Sequence, residues 1–170
     1  MDMSSFSLEG KIALITGASY GIGMAIAKGM AAAGATIVFN DIKQELVDKG
    51  LAAYEEAGIK AHGYVCDVTN EDALNELVAK IEAEVGVIDI LVNNAGISMR
   101  ALFEDLELDV IRRLMDVNFW GTVYCTKFAL PYILKTKGSL VGIISVAGFL
   151  GLPGRTGYSA SKFAVRGFLN

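Results

Sequence analysis

The sequence of 170 residues predicts an α/β fold, a parallel sheet with helices on both faces. Short apolar runs rich in Val and Ile alternate with longer runs of helical period, which is typical of strands buried on both faces and of the helices that cover them. Small or polar residues follow the short runs, where a parallel sheet binds its ligands. No composition shift marks a boundary, so residues 1–170 are predicted to form one domain, with a hydrophobic content of 53% to supply its core.

The short apolar runs predict five strands, at residues 12–15, 36–39, 61–66, 88–92 and 139–145. Helices are predicted to start near Ile22, Gln44, Asn70 and Asp109, and the last is expected to continue to about Thr136. The third helix carries its apolar residues on one face, as packing against a sheet requires. Right-handed connections would distribute these helices over both faces of the sheet.

Composition argues against several classes of protein. The net charge is −4 and the 15 basic residues are scattered, whereas nucleic-acid binding needs them clustered. The longest apolar stretch, residues 140–153, contains three glycines, a serine and a proline, and is too short and interrupted to cross a membrane. The two cysteines, Cys66 and Cys125, lie far apart, and the first ten residues lack a basic segment followed by an apolar run, so we expect a cytoplasmic protein.

A glycine-rich loop, TGASYGIG at residues 16–23, follows the first strand and opens the first helix. Its glycines allow a tight turn and a close approach of backbone to a pyrophosphate, and the helix N-terminus attracts the phosphate charge. The alternative is that these glycines only turn a strand into a helix, since their spacing is G-x-x-x-G-x-G. On the first interpretation the cofactor-binding candidates in this loop are Gly17, Ser19, Tyr20, Gly21, Ile22 and Gly23.

Asp41 follows the second strand, about 20 residues beyond the glycines, where a carboxylate can accept hydrogen bonds from the adenosine ribose of NAD and would repel a 2′-phosphate. The alternative is a turn residue that starts the next helix. Lys43 is the one basic residue close enough to suggest NADP, and Tyr20 stands where NADP enzymes often have Arg. The sequence therefore favours NAD and leaves NADP as the alternative.

A third pattern joins Ser145, Tyr158 and Lys162, the last two within the run YSASK. Tyr and Lys at positions i and i+4 share one helix face, so the ammonium group would favour the ionised phenol and make Tyr158 a general acid and base. Ser145, at the end of the fifth predicted strand, could hydrogen-bond the substrate oxygen. An amphipathic helix with a surface lysine is the alternative, and the glycine loop upstream favours the catalytic interpretation.

These motifs, together with NNAG at residues 93–96 and Asn118, resemble the short-chain dehydrogenase/reductase family. The resemblance implies a Rossmann-type doubly wound sheet of order 3-2-1-4-5 and hydride transfer between a nicotinamide cofactor and a carbonyl or secondary alcohol. It implies that Tyr158 exchanges the proton, that Lys162 also binds the nicotinamide ribose, that Ser145 positions the substrate oxygen, and that Asn118 holds a water in the proton relay.

The same resemblance implies that Asp67 and Val68 flank the adenine and that Asn94 lies beside the cofactor. It implies a small-molecule substrate and no metal, and the single histidine, His62, is interpreted as a surface residue. The helix predicted from Asp109 to Thr136 resembles the one that family members pair across a dimer axis, so we expect a homo-oligomer.

The similarity within the family differs along the chain. Residues 1–97, including FNDIKQELVDKG and AHGYVCDVT, resemble bacterial gluconate 5-dehydrogenases, which suggests gluconate or 5-ketogluconate as substrate. From Ser98 onward, MDVNFWGTVYCTKFALPY and GFLGLPGRTGYSASKFAVRGFL resemble hydroxysteroid-dehydrogenase-like members. Family members are usually longer, so we expect the final strands and the substrate lid to be missing after Asn170. The alternative function is a truncated or recombined Rossmann-type module without catalysis.

Overall fold

The computed structural model describes residues 4–170. Its five strands are β1 (Ile12–Thr16), β2 (Thr36–Asp41), β3 (Ala61–Val65), β4 (Ile90–Asn93) and β5 (Ser139–Gly142). All neighbouring strands are parallel, in the order β3-β2-β1-β4-β5. The predicted Rossmann-type order is therefore confirmed.

Six α-helices connect and follow these strands, namely α1 (Gly21–Ala32), α2 (Gln44–Glu56), α3 (Glu71–Glu84), α4 (Leu108–Leu114), α5 (Gly121–Thr136) and α6 (Thr156–Leu169). Side chains alternate along each strand between two faces, so each strand contributes to two cores. One core joins Leu14 and Leu91 of the sheet to α3 and α5. The other joins Ile15 and Phe39 to α1 and α2. Helices thus cover both faces, as predicted.

Some strand boundaries differ from the predicted ones. Polar residues extend the paired region of one strand, and apolar residues at the predicted ends of two others lie outside the paired region. β2 continues through Asn40 and Asp41, because these polar residues still pair with β3. β4 starts at Ile90 instead of residue 88. β5 ends at Gly142, opposite Asn93, so Ser145 lies in the following loop and not at the end of the strand. His62 is half-buried within the edge strand β3.

The long helix predicted from Asp109 to Thr136 is one helical rod of three parts. It starts as α4, continues as a π-helical stretch, Met115–Trp120, and ends as α5. Short π-helical turns inside α-helices occur often at functional sites. This stretch contains Asn118, one of the predicted site residues. No helix within residues 4–170 is both long and apolar enough to span a membrane.

Candidate active site

A cleft of about 440 Å³ lies along the carboxyl ends of the strands. Its walls come from the loops after the strands and from the first turn of α6. Eleven of the predicted site residues line it, namely Gly17, Tyr20, Gly21, Ile22, Gly23, Asp41, Asp67, Val68, Asn94, Tyr158 and Lys162. Three predicted residues, Ser19, Asn118 and Ser145, do not line the cleft.

The glycine loop has the backbone conformation that its sequence requires. Gly17 and Gly21 both have φ of 63°, in the left-handed region that residues with a Cβ rarely adopt. A Cβ on Gly17 would lie 2.9 Å from the Cα of Ala95, and a Cβ on Gly23 would collide with the amide nitrogen of Asn94. These two glycines therefore allow the loop after β1 to pack against the loop after β4.

The first turn of α1 fits an anionic group such as the pyrophosphate of a dinucleotide. No side chain caps its N-terminus and it carries no acidic residue, so its free N–H groups and the positive end of the helix face the cleft uncompensated. A Cβ on Gly21 would meet no atom within 4 Å, which leaves open space beside this loop. The buried Ser19 hydroxyl has no hydrogen-bond partner within the described residues.

Asn94 holds the glycine loop in place. Its side-chain nitrogen donates to the carbonyl oxygens of Thr16 at 2.9 Å and Gly17 at 3.1 Å. The hydroxyl of Thr16 accepts in return from the backbone N–H groups of Asn94 at 3.0 Å and Ala95 at 2.9 Å. Asn94 thus lines the cleft, and the bonds that its amide makes are to the protein backbone.

Two aspartates also line the cleft. Asp41 is buried, and its carboxylate accepts a hydrogen bond from the backbone of Ile42 at 2.8 Å. Asp67 accepts from the backbone and from the hydroxyl of Thr69, both at 2.9 Å. Arg113 also lines this part of the molecule, where the cleft adjoins a second pocket of about 270 Å³. The sequence interpretation missed Arg113, since it lies on α4 far along the chain from Asp41.

Tyr158 and Lys162 share one face of α6, as their spacing predicts. The ammonium nitrogen lies 5.9 Å from the centre of the tyrosine ring and donates to the carbonyl oxygen of Ile143 at 2.7 Å. Lys162 is only 6% exposed, and this burial lowers the pKa of its ammonium group. The alternative interpretation of Lys162 as a surface lysine is therefore wrong.

Asn118 lies behind the cleft wall and is 1% exposed. Its amide oxygen accepts from the backbone N–H of Ile97 at 2.8 Å, and its nitrogen donates to the Ile97 carbonyl at 3.0 Å and to the Ser161 hydroxyl at 2.9 Å. Ser161 in turn donates to the carbonyl oxygen of Tyr158 at 2.8 Å. Asn118 thereby joins the loop after β4 to the first turn of α6.

The sequence interpretation missed Ser161. Nothing in the local pattern separates it from Ser159, because its partner Asn118 lies 43 residues earlier in the chain.

Ser145 is exposed in the loop after β5, with φ of 62°. A residue other than glycine with positive φ is uncommon, and such strained positions cluster at active sites. Its hydroxyl accepts from the backbone of Ala147 at 3.3 Å, and no hydrogen bond to Tyr158 is present in the described part of the chain. The role of Ser145 in positioning the substrate oxygen stays a prediction.

No group of three or more His, Cys, Asp or Glu side chains with the geometry of a metal site is found within residues 4–170.

The chain belongs to the short-chain dehydrogenase family, because the family model for short chain dehydrogenases matches residues 11–170. A 2-dehydro-3-deoxy-D-gluconate 5-dehydrogenase from Formosa agariphila is 41% identical over 164 residues, 95% of this chain and 62% of that protein. A 3β-hydroxysteroid dehydrogenase from Mediterraneibacter gnavus is 40% identical over 158 residues, 92% of this chain and 57% of that protein. The chain spans about three fifths of the length of these curated relatives.

Two solved structures share the fold. A 2-keto-3-deoxy-D-gluconate dehydrogenase from Streptococcus agalactiae is 56% identical, with a TM-score of 0.74 over 82% of this chain and 53% of that one. A gluconate 5-dehydrogenase from Burkholderia cenocepacia, in complex with NADP and tartrate, is 37% identical, with a TM-score of 0.91 over 98% of this chain and 66% of that one. Both groups that the sequence resembles thus occur among its relatives. All four are named as dehydrogenases, so the alternative of a non-catalytic module finds no support.

Proposed function

We propose that this chain supplies the dinucleotide site and the proton-transfer groups of an oxidoreductase that interconverts a secondary alcohol and a ketone. One observation carries the proposal. The buried Lys162 and the adjacent Tyr158 line the same cleft as the uncapped, glycine-rich N-terminus of α1. The bound nicotinamide would supply the hydride acceptor or donor.

Tyr158 is the residue that we propose exchanges the proton. During alcohol oxidation its phenolate would take the hydroxyl proton as the carbon loses hydride, and during reduction its phenol would return that proton. The ammonium nitrogen of Lys162 lies 5.9 Å from the centre of the Tyr158 ring. Asn118 and Ser161 hold the backbone of Tyr158 and so fix where its hydroxyl lies.

For the substrate we propose a sugar acid of the gluconate type. The support is that three relatives act, by their names, on 2-keto-3-deoxygluconate or gluconate. Within this class, 2-keto-3-deoxy-D-gluconate, gluconate and 5-ketogluconate are the compounds to test.

For the cofactor we propose NAD. Asp41 is buried at the cleft wall, where its carboxylate would accept hydrogen bonds from ribose hydroxyls and repel a 2′-phosphate. NADP is the second candidate, because the related gluconate 5-dehydrogenase binds it and because the guanidinium of Arg113 lines the same end of the cleft. Lys43, the basic residue that the sequence pointed to, does not line the cleft.

A spectrophotometric assay tests the proposal. The chain is mixed with NAD or NADP and each sugar acid, and with their reduced forms and each keto acid, while the absorbance of the reduced nicotinamide is followed. In the catalytically complete protein we expect turnover with at least one sugar acid and higher kcat/KM with NAD. Absence of any absorbance change across the panel would contradict the proposed activity.

Self-association, which the resemblance implies, stays a prediction that sedimentation measurements can test.

A further inference from the structure

Arg155 immediately precedes α6, three residues before Tyr158. Its guanidinium donates a hydrogen bond of 2.7 Å to the hydroxyl of Ser98, and Ser98 lines the cleft. The guanidinium carbon lies 5.9 Å from the centre of the Tyr158 ring, the same distance as the ammonium of Lys162. Two cationic groups therefore flank the tyrosine that we propose exchanges the proton.

The two cations differ in what they contact. The ammonium group of Lys162 donates a hydrogen bond to a backbone carbonyl, whereas the guanidinium of Arg155 donates one to a neutral hydroxyl. Within residues 4–170 the ion pairs of arginine and lysine involve other side chains, such as Arg112 with Asp109 and Lys11 with Asp89. Arg155 is half-buried and has no carboxylate partner in that range. Its charge is therefore not balanced by an acidic side chain of the described chain.

The backbone around Arg155 holds it in this place. The carbonyl oxygen of Gly154 accepts a hydrogen bond of 2.9 Å from the N–H of Ala101, which ties the segment before α6 to the loop that follows β4. Ser98 lies in that same loop, so both ends of the contact between Arg155 and Ser98 are anchored. The guanidinium is thus ordered before any ligand arrives, which reduces the entropy lost on binding.

A guanidinium presents five N–H donors in a planar fork that matches the two oxygens of a carboxylate. One of these donors is directed to Ser98, which orients the plane and leaves the others for a ligand. We propose that Arg155 binds the carboxylate of the sugar-acid substrate and that Ser98 orients its guanidinium. This proposal rests on the proposed function. A substrate held by its carboxylate at Arg155 would present a carbinol further along its chain to Tyr158, so Arg155 would select acids over neutral polyols.

Gluconate and glucitol provide a matched test, because they differ only in a carboxylate against a hydroxymethyl group. Binding of each to the chain saturated with NADH, with which neither alcohol can react, is measured by titration calorimetry. We expect Arg155→Ala to weaken gluconate binding on the order of tenfold or more and to change glucitol binding less than twofold. Arg155→Lys keeps the charge but loses the planar guanidinium, so it should weaken gluconate binding less than Arg155→Ala does. Ser98→Ala should cause a smaller loss, confined to gluconate.

Arg166→Ala is the matched control, because Arg166 lies within α6, is half-buried like Arg155, and contacts the ring of Phe149. It should leave gluconate binding unchanged. Equal effects of Arg155→Ala on the two ligands, no effect on either, or no preference of the unmodified chain for gluconate would each overturn the inference. If Arg155→Ala does not fold, the same comparison is decided by Arg155→Lys. Failure of the proposed function is distinguishable, because it would appear as no NADH formation with gluconate while the selective loss of binding persists.

Discussion

The two ends of the cleft are held together by different interactions. At the glycine-loop end, β1 and β2 are almost entirely buried and the loops meet through close backbone contacts. At the catalytic end, β5 is the edge strand of the described sheet, with Leu140 36% and Val141 41% exposed. The catalytic end depends on side-chain hydrogen bonds to backbone from Asn118, Ser161 and Lys162, as the glycine loop also depends on those of Asn94. Substitutions at the first end should therefore change stability and cofactor affinity, and those at the second should change the rate.

The largest effect is expected from Tyr158→Phe, which removes the proton-exchanging hydroxyl and keeps the ring. We expect kcat to fall by about a hundredfold or more, whereas cofactor affinity stays within twofold. Steady-state kinetics and a cofactor titration measure the two quantities. Tyr132→Phe, on α5 and outside the cleft, is the control and should leave both unchanged. A rate near that of the unmodified chain would remove Tyr158 from its proposed role.

The next largest effect is expected from Gly23→Ala at the first end. The new methyl group would meet the amide of Asn94 and lie 3.0 Å from backbone atoms of Ala18 and Gly17, so Asn94 must give up its bonds to the glycine loop. We expect a loss of about 2 kcal/mol in the free energy of unfolding, together with weaker dinucleotide binding. Urea denaturation measures the first quantity.

Gly29→Ala is the matched substitution, in the same helix α1 but with open space around its Cβ. It should raise the free energy of unfolding by about 0.5 to 1 kcal/mol, because alanine is the better helix former. If both substitutions shift the denaturation midpoint equally, the close approach between Gly23 and Asn94 is not what holds this end of the cleft.

Asp41→Ser should shift the cofactor preference toward NADP by about tenfold, since it removes the charge that would repel a 2′-phosphate. The ratio of kcat/KM for the two cofactors measures the shift. Arg113→Ala should move the same ratio the other way if its guanidinium reaches the phosphate. An unmodified chain that already prefers NADP would show that Arg113 outweighs the carboxylate.

Lys162→Met should change the free energy of unfolding by less than Gly23→Ala does. Burial lowers the pKa of this ammonium, so the folded state binds protons less readily than the unfolded state does. Stability should therefore rise as the pH increases from the lowered pKa toward the ordinary lysine value, and Lys162→Met should remove that rise. At neutral pH we expect it to add about 1 kcal/mol to the free energy of unfolding while cofactor affinity and rate fall. Unchanged stability would indicate that the ammonium is well solvated in the folded chain.

The sequence predicted the first end of the cleft better than the second. Glycine spacing and strand hydrophobicity are local signals, so the loop at residues 16–23, the strands and the position of Asp41 could be predicted, whereas the strand order followed from the family resemblance. The contacts of the second end join residues distant in the chain, as Arg155 joins Ser98 and Asn118 joins Ser161. The end of β5 was misplaced because Ile143 and Ile144 continue its apolar pattern beyond the last paired residue, Gly142. Composition does not encode where a partner strand stops pairing.

The length of the π-helical stretch between α4 and α5 determines which side of α5 faces the sheet. The buried residues of the rod include Leu114, Asn118, Thr122, Cys125, Ala129 and Ile133, which recur every three or four positions and keep one side of the rod inward. Deleting one residue from Met115–Trp120 would rotate everything after it by about 100°. The apolar side of α5 would then turn away from β4, and Asn118 could not reach both Ile97 and Ser161. Chain length in this stretch is therefore under tighter constraint than its residue types.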